Sequence, residues 1–323
     1  MPSRRTRVSC RWCTANSRAR PPSRSQRSRR TCRTSRQGLP APPNPAAWAR
    51  ALRESGLLRL SLPAQLGGAG SPWREVLQVL RDLCERDGGL ARLFAVHHLQ
   101  LTRVRLLGSR EQLQRLLHLS LLREPLWGAL GEDDGQRLRA EEHLRGGFRV
   151  NGAQWDAFTA EAADWLLLRA WHAPSGDFLL AALPSARAGL ALRAGAHCQG
   201  LRLHPEDILL PPGLAATPRR VLGDGLAQLL QANVALGLAL QAADNLDLPE
   251  ASELSRLLGL GLVLSEQAAR QLDEDIESGA ALAFGRASHF ANLAAQALAV
   301  ARQAAQASLR AEGVRARLLG AAH

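Results

Sequence analysis

The hydrophobic period of this chain changes twice, and those two changes constrain its fold more than any other feature. From Ala46 to about residue 124, apolar residues recur at helical spacing. Val76, Val79, Leu80 and Leu83 form one stripe, and Leu113, Leu116, Leu117 and Leu121 form another. The breaker clusters Gly67-Gly68-Ala69-Gly70 and Arg86-Asp87-Gly88-Gly89 divide this region into several helices joined by tight turns. From Trp127 to about Gly213 the runs become short and strand-like. Phe148-Arg149-Val150 leads into Asn151-Gly152, a pair that tolerates positive φ and predicts a hairpin turn. Trp165 to Trp171, Phe178 to Leu183, Leu190, Leu192, Leu201, Leu203 and Ile208-Leu209-Leu210 continue the series. A small antiparallel sheet or barrel of about ninety residues accommodates them. From Val221 the helical stripes return. Leu226, Leu229, Leu230, Leu236 and Leu240 make one helix, and a second starts at Leu254, Leu257 and Leu258 and reaches Ile276. The alanine-rich stretch from Ala287 to about Arg310 makes a third. The fold class expected is mainly α with a middle β domain. Its expected parts are a basic tail at 1–45, a helical domain at 46–125, a β domain at 126–218 and a shortened helical bundle at 219–323.

The chain has 323 residues, 46% of them hydrophobic, which is enough for a large core. The net charge of +12 is a property of the tail: residues 1–38 carry twelve arginines and no acid. There is no lysine, and the 29 remaining arginines match the 29 acids. A neutral body argues against a nucleic-acid-binding face on the folded part. The tail lacks apolar periodicity and is expected to be disordered by itself. Three readings of it stand: a charge-driven contact with nucleic acid or an anionic surface, a transit peptide, or an upstream stretch translated from a GC-rich gene. Cys10 and Cys13 have a metal-like spacing but no second pair beside them, so no metal site is assigned. Cys84 and Cys198, the only two cysteines of the body, make no disulfide framework. No apolar run approaches the ~18 residues of a membrane span. The longest, Leu254 to Leu264, is broken by Arg256, Gly259 and Gly261. A soluble, cytoplasmic chain with no membrane partner is expected.

The order of these parts is joined by local motifs. Leu57-Leu58-Arg59-Leu60-Ser61-Leu62-Pro63, followed by Leu66-Gly67-Gly68-Ala69-Gly70, resembles the entry loop of the acyl-CoA dehydrogenase superfamily. Asp87-Gly88-Gly89, Gly108-Ser109-Arg110-Glu111-Gln112 and Val150-Asn151-Gly152-Ala153-Gln154 resemble further segments of that family, in the family's order. Phe94-Ala95-Val96-His97-His98-Leu99 and Leu183-Pro184-Ser185-Ala186-Arg187-Ala188-Gly189-Leu190 are similar to segments of its flavin-dependent monooxygenases, such as dibenzothiophene monooxygenase. The resemblance covers residues from about 52 to about 245.

The resemblance implies a flavoprotein oxidoreductase, with FAD or FMN as cofactor. Two reactions follow from it: monooxygenation of a small organic or organosulfur substrate, with reduced flavin from a separate reductase, or acyl-CoA dehydrogenation. A non-catalytic partner of a complete paralogue is the alternative. The family's first flavin contact, an Ala-Leu-Thr-Glu-Pro segment, falls on Ala129, Leu130, Gly131, Glu132 and Asp133, so glycine replaces the threonine. Backbone amides near Gly131 are expected to serve in place of the hydroxyl. The second contact, Trp-Ile-Thr, falls on Asp156, Ala157 and Phe158, and a one-residue slip would give the aromatic role to Trp155 or Phe158. His97 is the catalytic candidate, an imidazole that would face the pocket; against it stands a helix histidine satisfied by backbone. Glu312, in Glu312-Gly313, lies earlier than the family's base glutamate. Asn245 to Pro249 interrupts one adenine-nucleotide contact, which favours FMN or no flavin. Asp273, Glu274, Asp275 and Glu277 read as a solvated helix end. Apolar bundle faces, including Leu257, Leu258, Leu260 and Leu262, imply a homo-oligomer or pairing with a paralogue.

Overall fold

A computed structural model describes residues 44–131, 138–155, 157–193, 195–214, 217–243, 251–278 and 283–320. The tail expected at 1–45 lies almost wholly outside the described residues. Four helices come first: α1 (Pro45–Ser55), α2 (Trp73–Cys84), α3 (Gly88–Leu107) and α4 (Arg110–Arg123). Eight strands follow: β1 (Trp127–Leu130), β2 (Leu138–Glu142), β3 (Phe148–Gln154), β4 (Trp165–His172), β5 (Asp177–Pro184), β6 (Leu190–Leu192), β7 (Ala196–Leu203) and β8 (Ile208–Leu210), with the short helix α5 (Phe158–Glu161) between β3 and β4. Three long helices end the order: α6 (Pro218–Ala243), α7 (Ala251–Ser278) and α8 (Phe284–Gly320).

Two of the motifs that carry the resemblance are helix starts. Asp87 caps α3, accepting from the amides of Gly89 at 2.7 Å and Leu90 at 3.2 Å. Its other oxygen accepts from the Trp48 indole at 2.8 Å, so the cap also docks α1. Ser109 and Gln112 form a capping box on α4. The Gln112 amide then donates to the carbonyls of Glu206 at 3.1 Å and Ile208 at 2.9 Å, which ties α4 to the last strand.

The strands form one sheet in the order β6-β7-β3-β2-β4-β5-β8, with β1 added beside β4. The expected antiparallel sheet is in fact mixed: both β1 and β2 run parallel to β4. The connection through α5 carries the chain across the sheet, so β4 pairs in parallel with β2 and does not sit beside its predecessor β3. One face of the sheet packs on itself through Leu138, Val150, Leu166, Leu168, Leu179, Leu183, Leu201 and Leu203. On the other face Trp127, Leu167, Leu180 and Leu209 meet Leu101, Val104 and Leu116 of α3 and α4.

The Asn151-Gly152 hairpin is not there. Both residues lie inside β3, where the pairing with β7 shifts register between Val150 and Gly152. Asn151 accepts from the Gly200 amide at 2.7 Å across that irregularity. The turn falls earlier, where the His143 amide donates to Gly147 O at 3.0 Å. Gly146 and Gly147 there take φ of 79° and 75°, and a Cβ on Gly147 would sit 2.1 Å from Leu203 O.

The bundle is built around α6, which packs on α2, α3, α7 and α8. By length and composition α6 could cross a bilayer, contrary to the sequence expectation that no segment could. Its alanines and glycines keep the average apolar without any long unbroken run. Leu222, Leu226, Leu229, Leu230 and Leu236 of this helix are buried in the cores. Asn233, fully buried, bonds Ser265 of α7 and the Arg81 guanidinium of α2, and this network pins the register of three helices.

Replacing Asp87 with alanine removes the α3 cap and the bond to Trp48. We expect a loss of about 1–2 kcal/mol, seen as a lower midpoint in urea denaturation with an unchanged slope. An unchanged midpoint would contradict the capping role.

Candidate functional site

Strand β1 pairs with β4 along one edge only, with Trp127 opposite Trp165 and Leu130 opposite Leu168. All four of its residues are buried, so water cannot satisfy its other edge. That edge faces α3 and α5, and side chains supply the acceptors. The Trp127 amide donates to His97 Nδ1 at 3.2 Å, the Ala129 amide to Thr159 Oγ1 at 3.4 Å, and the Gly131 amide to Gln154 Oε1 at 2.6 Å. Each is an alternate residue, as the period of a strand requires. Asp164 fixes the strand's start by accepting from the Leu126 amide at 2.8 Å, and Arg53 pairs with the same carboxylate at 2.6 Å.

His97 is therefore committed at both nitrogens. Nδ1 accepts from Trp127, and Nε2 donates to Leu58 O at 2.9 Å, which sets the tautomer. Burial pushes its pKa down to about 4. His98 is turned to the same entry loop, with Nδ1 beside Ser61 Oγ at 2.7 Å and Nε2 beside Leu57 O at 3.2 Å. Burial first, and then its neighbour His97, hold His98 well below the usual imidazole range. The expectation of a pocket-facing imidazole at His97 is corrected by these bonds: the ring joins the entry loop to β1 and positions both.

The other expected residues separate into two groups. Ala129 and Leu130 contribute backbone only, because their side chains are buried in the cores. Gly131 has a φ of 83°, and a Cβ there would lie 2.0 Å from Arg169 O. No threonine fits this backbone, which gives the family departure a steric cause. The Gly131 amide, expected to replace the threonine hydroxyl, is already donated to Gln154. Trp155 follows Gln154 directly and is 73% exposed, with its ring edge against His197 at 6.0 Å. Phe158 lies elsewhere, half-buried against Trp48 at 5.3 Å and under the Arg92 guanidinium at 5.6 Å. It belongs to the α1–α3 core and not with Trp155. Asp156, Glu132 and Asp133 lie outside the described residues, as do Asn245 to Pro249 and His323. Thr159 and Gln154 were not singled out in the sequence as acceptors, since nothing there pairs them with β1 until the strand's open edge is known.

The acids of α7 are corrected as well. Asp273 accepts from the Trp73 amide with both oxygens, at 3.1 and 3.2 Å, and so caps α2. Asp275 is 1% exposed and holds Arg286 Nε at 2.7 Å. Only Glu274 and Glu277 are exposed. Glu312 lies within α8, with its side chain outside the described residues.

A flavin ring needs a plane to stack on and polar groups at its edge. Trp155 presents such a plane to solvent: it is 73% exposed, against 4% for Trp73 and 1% for Trp127. Gln154 brings a side-chain amide to the end of β1 beside it. These residues fit a flavin, with Gln154 in place of a free backbone amide.

His97 has a depressed folded pKa, so the unfolded state binds more protons between pH 6.5 and about 4. Stability should fall as pH drops through that window. His97→Gln, which can still donate and accept, should make the fall shallower in urea titrations at several pH values. His97→Phe leaves the Trp127 amide unpaired and should cost about 1–3 kcal/mol at neutral pH. An identical acid profile in the glutamine variant would contradict the assignment.

Comparison with known proteins gives a consistent answer. Residues 36–121 match the model of the acyl-CoA dehydrogenase N-terminal domain. The chain is 31% identical over 210 residues to the probable FMNH2-dependent monooxygenase SfnC of Pseudomonas putida, covering 60% of this chain and 53% of that protein. It is 28% identical over 221 residues to a dibenzothiophene monooxygenase of Rhodococcus erythropolis, with the same coverages, 60% and 53%. The chain thus spans about half the length of the curated relatives it matches. Among solved structures, methanesulfinate monooxygenase MsuC from Pseudomonas fluorescens superposes with a TM-score of 0.70 at 28% identity, over 79% of this chain and 76% of that one. FMN-bound TdsC from Paenibacillus sp. A11-2 superposes at 0.70 with 21% identity, over 79% and 76%, which speaks to the fold alone. By sequence over its N-terminal helices and by fold, the chain is similar to the acyl-CoA dehydrogenase superfamily, and the relatives it matches are flavin-dependent monooxygenases.

Proposed function

We propose that the chain serves as a flavin-dependent monooxygenase of a small organosulfur compound, with FMN as its flavin. The observation that carries this reading is the exposed Trp155 directly after Gln154, in a fold whose relatives are named as FMNH2-dependent and sulfinate monooxygenases. Reduced FMN from a separate reductase would supply two electrons, so that one oxygen atom of O2 enters the substrate and the other leaves as water. The chain's own part is to stack the ring on Trp155 and to meet its polar edge with Gln154. His97 and Thr159 act behind them by holding β1 in place. We place the protein in the cytoplasm as part of the same reading, beside a reductase that works on free flavin.

Assembly belongs to the same reading. Leu257 and Leu258, expected on an intermolecular face, pack instead against α6 and α8 within the chain. Leu260 and Val263 of α7, 44% and 62% exposed, remain available, and we expect pairing of two copies through the bundle.

Fluorescence titration of the full chain with FMN should show saturable binding. Trp155→Ala should weaken it about two- to tenfold, the range of one aromatic stacking contact. Absence of saturable FMN binding in the parent protein would overturn the reading. Light scattering should give a dimer or larger at micromolar concentration; a clean monomer would contradict the assembly.

A further inference from the structure

One face of the sheet carries a strip that the helices leave open. Leu167 of β4 and Leu180 of β5 meet α3 and α4 on that face. Further along the same strands Trp171 and Phe178 are half-buried, and Arg139 of β2 and Arg149 of β3 are exposed. Their neighbours along each strand, Ala140, Val150, Ala170 and Leu179, fill the core on the opposite face. By the alternation of a strand, the four side chains therefore turn outward.

The register sets this strip in two rows. In the first, Phe178 stands opposite Trp171, and Trp171 opposite Arg139. In the second, Glu141 of β2 stands opposite Arg149, and Arg149 opposite Arg202 of β7. Like charges directly opposite each other repel, and a negative group laid over them relieves the repulsion. Glu141 does this for one side of Arg149 only. The field reaches the neighbouring hairpin. There, partial desolvation first, and then the charges of Arg202, Arg149 and Arg145, hold the His143 imidazole below its usual range. At the other end of the strip, Trp171 and Phe178 meet edge to face at 4.8 Å. The Arg169 guanidinium carbon lies 3.8 Å from the centroid of the Phe178 ring and covers one side of it.

We propose that this strip docks a protein partner that presents acidic side chains beside an apolar contact. The partner's carboxylates meet Arg139, Arg149 and Arg202, whose planar forks suit them. Its apolar group meets Trp171 and Phe178. Arginine and aromatic side chains together are the composition in which binding energy concentrates at protein interfaces. Single-stranded nucleic acid fits less well, because bases need open ring faces to stack on, and Arg169 and Trp171 already pack on Phe178. The chain's own tail is repelled, since residues 1–38 carry twelve arginines and no acid. A second copy related by a two-fold axis through the strip would set arginine against arginine. The proposal does not rest on the flavin reading.

The test is fluorescence anisotropy of a labelled synthetic peptide of alternating glutamate and leucine, titrated with the full chain at constant ionic strength and without flavin. Saturable binding is expected, weaker at high salt and tighter than that of polyglutamate, which lacks the apolar contact. Arg139→Glu should weaken it about tenfold. Arg149→Gln should weaken it severalfold while the melting temperature holds or rises, since one of two facing like charges is gone. Both variants keep the basic tail, so an affinity that neither changes assigns the binding to the tail and overturns the proposal. Absence of saturable binding overturns it as well. Tighter binding of oligouridylate or of phosphatidylserine vesicles, lost in the same two variants, would give the strip to nucleic acid or to a membrane instead.

Discussion

The open edge of β1 is the constraint on which the rest of this structure depends. A buried strand with one unpaired edge carries backbone donors that neither water nor a neighbouring strand can satisfy, and each one left unpaired costs about 1–3 kcal/mol. Here three side chains from three elements take those donors: His97 from α3, Gln154 from β3 and Thr159 from α5. The consequence is mechanical. The helical half, the sheet and the crossover are all anchored to one four-residue strand. The entry loop is held to the same point, because His97 grips Leu58 with its second nitrogen.

This anchoring sets what the site can be. The end of β1 is fixed, Gly131 lies flush against Arg169, and no side chain can be placed there. Whatever ligand approaches must therefore be met by groups beside the strand. Gln154 ends β3 and is buried against β1, and Trp155 follows it directly and is exposed. The departure from threonine at 131 and the acceptor at 154 are thus two sides of one arrangement.

Much of the fold was legible in the sequence because it rests on local rules. The changes of period at Trp127 and Val221 mark the β segment, and the breaker cluster Arg86-Asp87-Gly88-Gly89 marks the boundary at which Asp87 caps α3. What failed was long-range or competitive. Asn151-Gly152 has the chemistry of a turn, but Gly146-Gly147 has it too, and the contact with Leu203 decides between them. The parallel pairing of β1 and β2 with β4 leaves no mark on alternation. The site was legible only as a neighbourhood. Gly131 and Gln154 meet at the end of β1, whereas Phe158 went to the core because Trp48, over a hundred residues away, packs on it. The acids of α7 read as a solvated end, since nothing local announces that Trp73 and Arg286 will reach them.

The central claim is that His97 is a neutral clamp on β1. Nitrogen-15 NMR of the imidazole rings, followed across pH, tests it most directly. The account predicts one ring protonated at Nε2 and bare at Nδ1, unchanged from neutral pH down to the approach of its pKa at about 4, with a Trp127 amide slow to exchange. A His97 ring that titrates near 6.5, or one that is protonated at Nδ1, would contradict it.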